Sequence, residues 1–359
     1  MHFSCKTKIY TGPGAVGVLG ELGSQKLLLV TDPFFAQNGV ARKTAELASG
    51  AQIRIFDKVM PDPSVELVAQ GVAMMQEFQP DTVVALGGGS AMDCAKAMVY
   101  LSDSKARLVA IPTTSGSGSE VTDFAIITAK GIKQVLVDGR LQPDIAIVDG
   151  DFVRELPSKL VADAGFDVLA HALEALAGKN AGHITDALAM DSFCTVFSQL
   201  GLSYAGEKRV RQAIHTASTM AGLAFSGAGL GLCHAMSHTL GGLFHIPHGR
   251  LNAILLPGVI GCNASAVGEK YAALARRAGL GGTAQILGVR NLKNALVKLR
   301  SQLQLPGSLP QAGVSPAQVA GKRGEIIQAV LKDPCCATNP VPVTAQMVES
   351  VLNEVTGLG

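Results

Sequence analysis

A change of rhythm near residue 150 restricts the fold more than any other feature. Before it, short runs rich in β-branched residues alternate with helical patterns. The runs are KLLLVTD (26–32), QIRIFD (52–57), TVVALGGG (82–89), RLVAIPT (107–113), KQVLVD (133–138) and IAIVD (145–149). Between two of them, SVELVAQGVAMMQEFQ (64–79) carries the apolar spacing of one helix face. Continuously apolar strands separated by helices form a mostly parallel sheet covered on both sides. Nearly every run ends at Asp, Gly or Pro-Thr, the loop residues of strand carboxyl ends, where open α/β sheets bind ligands. After IAIVDGDFVRELP the rhythm is gone. DVLAHALEALAG, VRQAIHTASTMAGLAF, EKYAALARRAG and AQMVESVLNEV read as helices, and nothing from residue 158 onward reads as a strand. The expected architecture is an α/β, Rossmann-like N-terminal domain over 1–155 and an all-α C-terminal domain over 156–359.

Composition supports two cores and removes whole classes of function. A chain of 359 residues exceeds one ordinary core, and 48% hydrophobic against 16% charged residues supplies ample apolar material. A net charge of +2 with scattered Lys and Arg excludes an electrostatic nucleic-acid binder. No apolar run reads as a bilayer span, so no membrane partner is expected. MHFSCKTKIYTGPG shows no secretory h-region. The seven cysteines are scattered; Cys94, Cys194 and Cys233 read as small core residues in a reducing compartment, and the adjacent Cys335 and Cys336 lack zinc-site spacing. The expected location is cytoplasmic.

Two glycine-rich segments compete for a nucleotide. GPGAVG (12–17) fits G-x-G-x-x-G but precedes a strand, whereas the dinucleotide fingerprint follows a strand and opens a helix, so it is a turn. LGGGSAMDCAKAM (86–98) has the right context. Its glycines let backbone N–H groups approach a pyrophosphate, and the helix N-terminus adds partial positive charge. Ser90 and Asp93 also fit a helix capping box, which is compatible with that role. IPTTSGSGSEVTD (111–123) offers a second wall of hydroxyls and N–H groups, or a flexible connection. Asp32 closes a strand where a carboxylate can accept from the adenosine ribose of NAD and repel a 2′-phosphate; a simple loop cap explains it equally well.

Four of the eight histidines, His234, His238, His245 and His248, fall in CHAMSHTLGGLFHIPHG (233–249) without an acid among them. A lone histidine there reads as a satisfied core residue. Four suggest a metal. The carboxylate comes from GFDVLAHALEAL (165–176), where Asp167 and His171 lie four apart on one helix face. One carboxylate with neutral imidazoles suits Fe²⁺ or Zn²⁺.

GGGSAMDCAKA, PTTSGSGSEVT, GFDVLAHALEA and GLGLCHAMSHTLGGLFHIPHGRLNAILLP together resemble the iron-dependent (group III) alcohol dehydrogenase family, with similarity running from YTGPGAV to TNPVPV. Within it, the chain is similar to the 1-propanol and ethanol dehydrogenases of bacterial microcompartments. The resemblance implies metal ligands at Asp167, His171, His234 and His248. It places His238 beside the metal, where it is the candidate proton carrier. Cofactor positions fall on Asp32, Gly88, Gly89, Ser90, Asp93, Thr113, Thr114 and Lys133. Many relatives have Asn where this chain has Asp62, which is therefore left out of that set. His245 has no implied role beyond structure or pocket lining. The implied cofactors are NAD and Fe²⁺ or Zn²⁺. The implied partners are a small alcohol or aldehyde, a second copy in a homodimer or larger homo-oligomer, and an aldehyde dehydrogenase or microcompartment neighbour.

The reaction so implied is hydride transfer between a short primary alcohol and NAD, with the metal as Lewis acid. Leu240, Leu243, Phe244 and Ile246 suggest a pocket for C2–C4 tails. A glycerol dehydrogenase-like polyol oxidoreductase is the main alternative. A dehydroquinate synthase-like lyase would need several cations where this segment has only Arg250, and an inactive structural partner would not need an intact ligand set.

Overall fold

The computed structural model describes residues 3–129 and 132–357 and divides into two compact units, Ser4–Glu155 and the chain from Leu156 onward together with Phe3. The first unit carries β1 (Lys8–Thr11), β2 (Lys26–Val30), β3 (Gln52–Phe56), β4 (Thr82–Gly87), β5 (Arg107–Pro112), β6 (Phe124–Ala129), β7 (Ile132–Val137) and β8 (Ile145–Val148), with helices α1 (Pro33–Gln37), α2 (Val40–Glu46), α3 (Val65–Phe78) and α4 (Gly89–Leu101). Six strands form a parallel sheet in the order β1-β8-β5-β4-β2-β3. Alternate residues of its central strands supply two cores. Leu28, Val30, Val83 and Ala85 enter one, which also holds Val68, Met75 and Met98 of α3 and α4. Leu27, Leu29, Val84 and Leu86 enter the other, with Ala41 and Ala45 of α2. Burial on both faces is why these strands read as unbroken apolar runs.

One strand reading changes and one strand is added. KQVLVD is outside the main sheet: as β7 it pairs antiparallel with β6, and the two make a separate ribbon. KIYT, ahead of the glycine turn, becomes edge strand β1 against β8. Four exposed residues gave no apolar run to read.

The second unit contains α5 (Ser158–Ala177), α6 (His183–Tyr204), α7 (Arg211–Ala228), α8 (Leu232–Phe244), α9 (His248–Arg277), α10 (Gln285–Gln302), α11 (Pro316–Lys332) and α12 (Ala345–Thr356), and among the described residues no strand. Helix α5 is buried almost all round, from Gly165 through Ala177 except for Asp167's partial exposure. One expectation about membranes needs correction. Residues 251–268 of α9 carry no charge, and α9 is long and apolar enough to cross a bilayer by composition. It is 67% buried inside the unit over that window, contains Pro257 and kinks at Val267, as a core helix can.

Candidate functional site

The carboxyl ends of β2 and β4 meet where the strand order reverses, the usual ligand crevice of such sheets. Thr31 donates to the Leu86 carbonyl at 2.8 Å, which puts Asp32 beside the glycine loop. Gly87 has φ 156°, and a Cβ there would lie 2.5 Å from that of Ala91, so only glycine fits. A Cβ on Gly88 would touch Thr114 (3.4 Å to Oγ1) and one on Gly89 would touch Ser117 (3.5 Å). The missing side chains leave a cradle between two loops at the N-terminus of α4, suited to a pyrophosphate.

The side chains around it divide. Asp32 caps α1 by accepting from the Phe35 N–H at 3.2 Å through Oδ1. Its Oδ2 lies 3.9 Å from the Cβ position of Gly87. Thr113 is buried, its N–H bonded to the Gly87 carbonyl at 2.9 Å; Thr114 faces Gly88. The capping box is not formed. Gly88 is the N-cap, without a side-chain cap bond, and Ser90 lies inside α4. The helix starts two residues earlier than the pattern suggests, with Gly88 rather than Ser90 as its N-cap. Asp93 instead accepts from Ser119 Oγ at 3.0 Å. Buried Lys96, unread in the sequence, donates to Ser119, Thr122 and Phe124 at 2.9–3.0 Å and stitches the hydroxyl loop to α4. Burial pushes Asp93 up to about 6 and Lys96 down to about 8. Lys133 reaches Asp62 Oδ1 at 2.6 Å, so the acid left out of the cofactor set holds a lysine placed in it.

In the helical unit three imidazoles converge on one oxygen. Asp167 Oδ1 lies 3.4 Å from His248 Nε2, 3.8 Å from His234 Nε2 and 3.9 Å from His171 Nε2. These are about the separations kept by donors ~2.0–2.2 Å from a common ion. Asp167, His234 and His248 form the tightest group, with all donor atoms within 4.8 Å of one another. Burial drives His234 well below its ordinary range and His248 down to about 3. Both are therefore neutral with a lone pair to give, the form a metal binds. Burial alone would raise Asp167; the surrounding imidazoles and the Asn252 amide more than offset it and hold it low. His171 stacks between Phe225 and His234, and its buried Nδ1 has no partner. The donor chemistry and spacing fit a divalent metal.

Residues the sequence reading did not single out hold this geometry. Glu174 is the third member of the Asp167–His171 face. It accepts from the N–H groups of Gly231 and Cys233 at 2.9 and 2.6 Å, capping α8, and from His234 Nδ1 at 2.6 Å. That puts the proton on Nδ1 and leaves the Nε2 lone pair facing the Asp167 cluster as a ligand for a metal. Burial raises Glu174 to about 7. Asn252 donates to Asp167 Oδ1 at 2.8 Å. Asn339, of the TNPVPV stretch, accepts from the Leu232 N–H at 3.1 Å. Gly249 permits the closest approach: a Cβ there would lie 1.9 Å from the Asp163 carbonyl oxygen of α5. Arg250 then forks onto the Asp163 carboxylate at 2.9 and 3.2 Å.

His238 lies beside this group, stacked on His248 at 5.3 Å between ring centroids. Its Nδ1 is 2.9 Å from Asp333 Oδ2, a partner 95 residues away. His245 ends α8 in the left-handed conformation (φ 55°) and is exposed, at the turn that leads to His248. Leu240 and Ile246 are buried core rather than pocket lining, whereas Leu243 and Phe244 are partly exposed.

A profile of the iron-containing alcohol dehydrogenases matches residues 6–150, and one of the C-terminal region of the Fe-containing alcohol dehydrogenase family matches 161–356. The chain belongs to the iron-containing alcohol dehydrogenase family. It is 38% identical to the 1-propanol dehydrogenase PduQ of Salmonella typhimurium, over 98% of this chain and 99% of that protein. It is 36% identical to an NADPH-dependent butanol dehydrogenase of Clostridium saccharobutylicum, over 95% and 94%. Among solved structures, an iron-containing alcohol dehydrogenase from Thermococcus thioreducens superposes with a TM-score of 0.93 at 31% identity, over 99% of this chain and all of that one. A sulfoacetaldehyde reductase from Bifidobacterium kashiwanohense in complex with NAD⁺ does so with 0.90 at 27%, over 100% and 99%. As a member of that family it is an oxidoreductase, an iron-type alcohol dehydrogenase that interconverts alcohol and aldehyde.

Proposed function

We propose that the chain reduces short aliphatic aldehydes to primary alcohols with NADH, and runs the reverse reaction, holding its metal on Asp167, His171, His234 and His248. The convergence of three Nε2 atoms on Asp167 Oδ1 carries this reading. Bound there, the metal supplies Lewis acidity to the substrate oxygen, and the nicotinamide supplies the hydride exchange. Asp167 contributes the one negative charge of the set, and Glu174 keeps the His234 lone pair turned inward. His238 moves the hydroxyl proton: Asp333 takes the Nδ1–H bond, which leaves Nε2 free to accept or return a proton.

At the sheet, the N–H groups of Gly88, Gly89 and Ser90 bind the pyrophosphate and Asp32 accepts from the ribose. Thr113 and Thr114 wall the cradle, Asp93 braces it through Ser119, and Lys133, paired with Asp62, adds its positive charge toward Asp93. Leu243 and Phe244 favour a C2–C4 tail over a hydroxylated one, with weak discrimination along the series because one methylene is worth only ~1–3 kcal/mol. Arg250 is committed to Asp163, so the histidine segment offers no cation for an acidic substrate, which disfavours the lyase alternative. The reading extends to a homodimer working in the cytoplasm, or in a microcompartment beside an aldehyde-producing or aldehyde-oxidising enzyme.

The test is kcat/KM for propionaldehyde against dihydroxyacetone with NADH, on protein loaded separately with Fe²⁺ and Zn²⁺. Propionaldehyde should be preferred with either metal. A preference for dihydroxyacetone moves the chain to the polyol branch.

A further inference from the structure

Beside the Asp167 cluster, a second set of donors has no part in holding the first metal. His238, Asp333 and Cys335 each present a ligand atom, all within 4.8 Å of one another. Asp333 is the centre. Its Oδ2 lies 2.9 Å from His238 Nδ1, and its Oδ1 accepts the Cys335 N–H at 2.9 Å, which fixes the turn that carries the thiol. Asp333 is 12% exposed and His238 33%, so the set opens to solvent while its centre is sheltered. One imidazole, one carboxylate and one thiol form a soft, mixed donor set that selects zinc-like ions over magnesium or calcium. Two anionic ligands would neutralise a divalent ion there, so it could sit next to an occupied Asp167 site without strong repulsion.

We propose that His238, Asp333 and Cys335 form a second, inhibitory site for Zn²⁺ or a similar thiophilic divalent ion. Donors ~2.0–2.3 Å from an ion stand about 3.3–3.8 Å apart, so an ion entering here must break the 2.9 Å His238–Asp333 hydrogen bond and widen that pair by about half an ångström. The thiol gives its proton to solvent. His238 coordinates through Nδ1, which shifts its proton to Nε2, so Nε2 no longer accepts one. Burial and the Asp333 carboxylate hold the thiol well above its ordinary range. The second ion must displace that proton and therefore binds more weakly than the first. The site itself stands on the donor geometry; the inhibition also rests on the proposed proton-carrying role of His238.

The experiment uses full-length enzyme already loaded with one metal per chain. Zn²⁺ binding is followed by equilibrium dialysis, and Cd²⁺ binding by the cadmium–thiolate ultraviolet band, alongside aldehyde reduction. Wild type should take up a second equivalent, show the band and lose at least about tenfold in kcat, restored by brief chelation. C335S should keep the first metal and its basal rate but lose the second equivalent, the band and the inhibition. C336S should behave as wild type, since that thiol turns to the Val330 carbonyl at 3.0 Å. If C335S fails to fold, the band in wild-type holoenzyme and its loss in D333N decide the matter. Wild type stopping at one equivalent, or an unchanged second equivalent in C335S, overturns the site. A second equivalent lost in C335S but harmless in wild type keeps the site and overturns the role of His238.

Discussion

The sheet unit makes its ligand end from backbone, whereas the helical unit makes its cluster from side chains. At the glycine loop the deciding features are missing atoms: Gly87 at φ 156°, and Gly88 and Gly89 leaving room against Thr114 and Ser117. At the Asp167 cluster they are atoms delivered by three helices, α5, α8 and α9, whose ligand-bearing positions lie up to 81 residues apart, as Asp167 and His248 do. A backbone site tolerates changes of side chain but not the addition of one. A side-chain cluster depends on whatever sets the spacing of its helices. The two should therefore fail differently, and substitutions can separate them.

The largest effect is expected at Gly249. An added Cβ, 1.9 Å from the Asp163 carbonyl oxygen, must push α9 from α5 and carry His248 away from Asp167. G249A should lose ~1–3 kcal/mol or more of stability and most of its metal, read by thermal unfolding and metal analysis, while NADH binding persists. Full metal occupancy in G249A would break the comparison, because close approach would not be what sets the cluster.

Next is Glu174. Gln in its place keeps the volume, but its amide can donate to Nδ1 and turn the His234 proton onto Nε2. E174Q should weaken metal binding by about 10–100-fold, measured by competition with a chelator, and leave NADH affinity unchanged. At the sheet end, D32G removes the carboxylate while glycine still serves as the cap of α1. It should narrow the NADH-over-NADPH preference in kcat/KM by about tenfold, or ~1.4 kcal/mol. Wild type using both cofactors equally would remove Asp32 from the ribose.

A further effect is expected with pH, in metal-free protein. His248 has its folded-state value depressed to about 3 from 6.5, so the unfolded chain binds its proton first. Its contribution to stability is complete above about 6.5 and is lost as pH falls toward 3. The unfolding midpoint should drop between pH 7 and 5, and metal loading should flatten that fall.

Local pattern carried much of this. The continuous strands, the strand–glycine–helix order around Gly88 and the four-residue spacing of Asp167 and His171 are all short-range signals. Glu174 was equally within reach, at the next position of the same face; a buried carboxylate so close to Asp167 simply has no local justification until the N-terminus of α8 arrives to use it. Asp333 and Asn252 answer to partners 95 and 85 residues away, and no window contains both ends. Gly249 was hidden for another reason. A glycine inside a helix looks like a weakness until the neighbouring helix is seen lying against it. The capping-box pattern at Ser90 failed because α4 already begins at Gly89 and Asp93 is taken by Ser119, 26 residues away.

The separation of the two sites is tested most directly by H234A, with metal content and NADH affinity measured on the same sample. The expected result is loss of bound metal and of turnover, with the NADH dissociation constant unchanged and the fold retained. Full metal occupancy with unchanged turnover would contradict it.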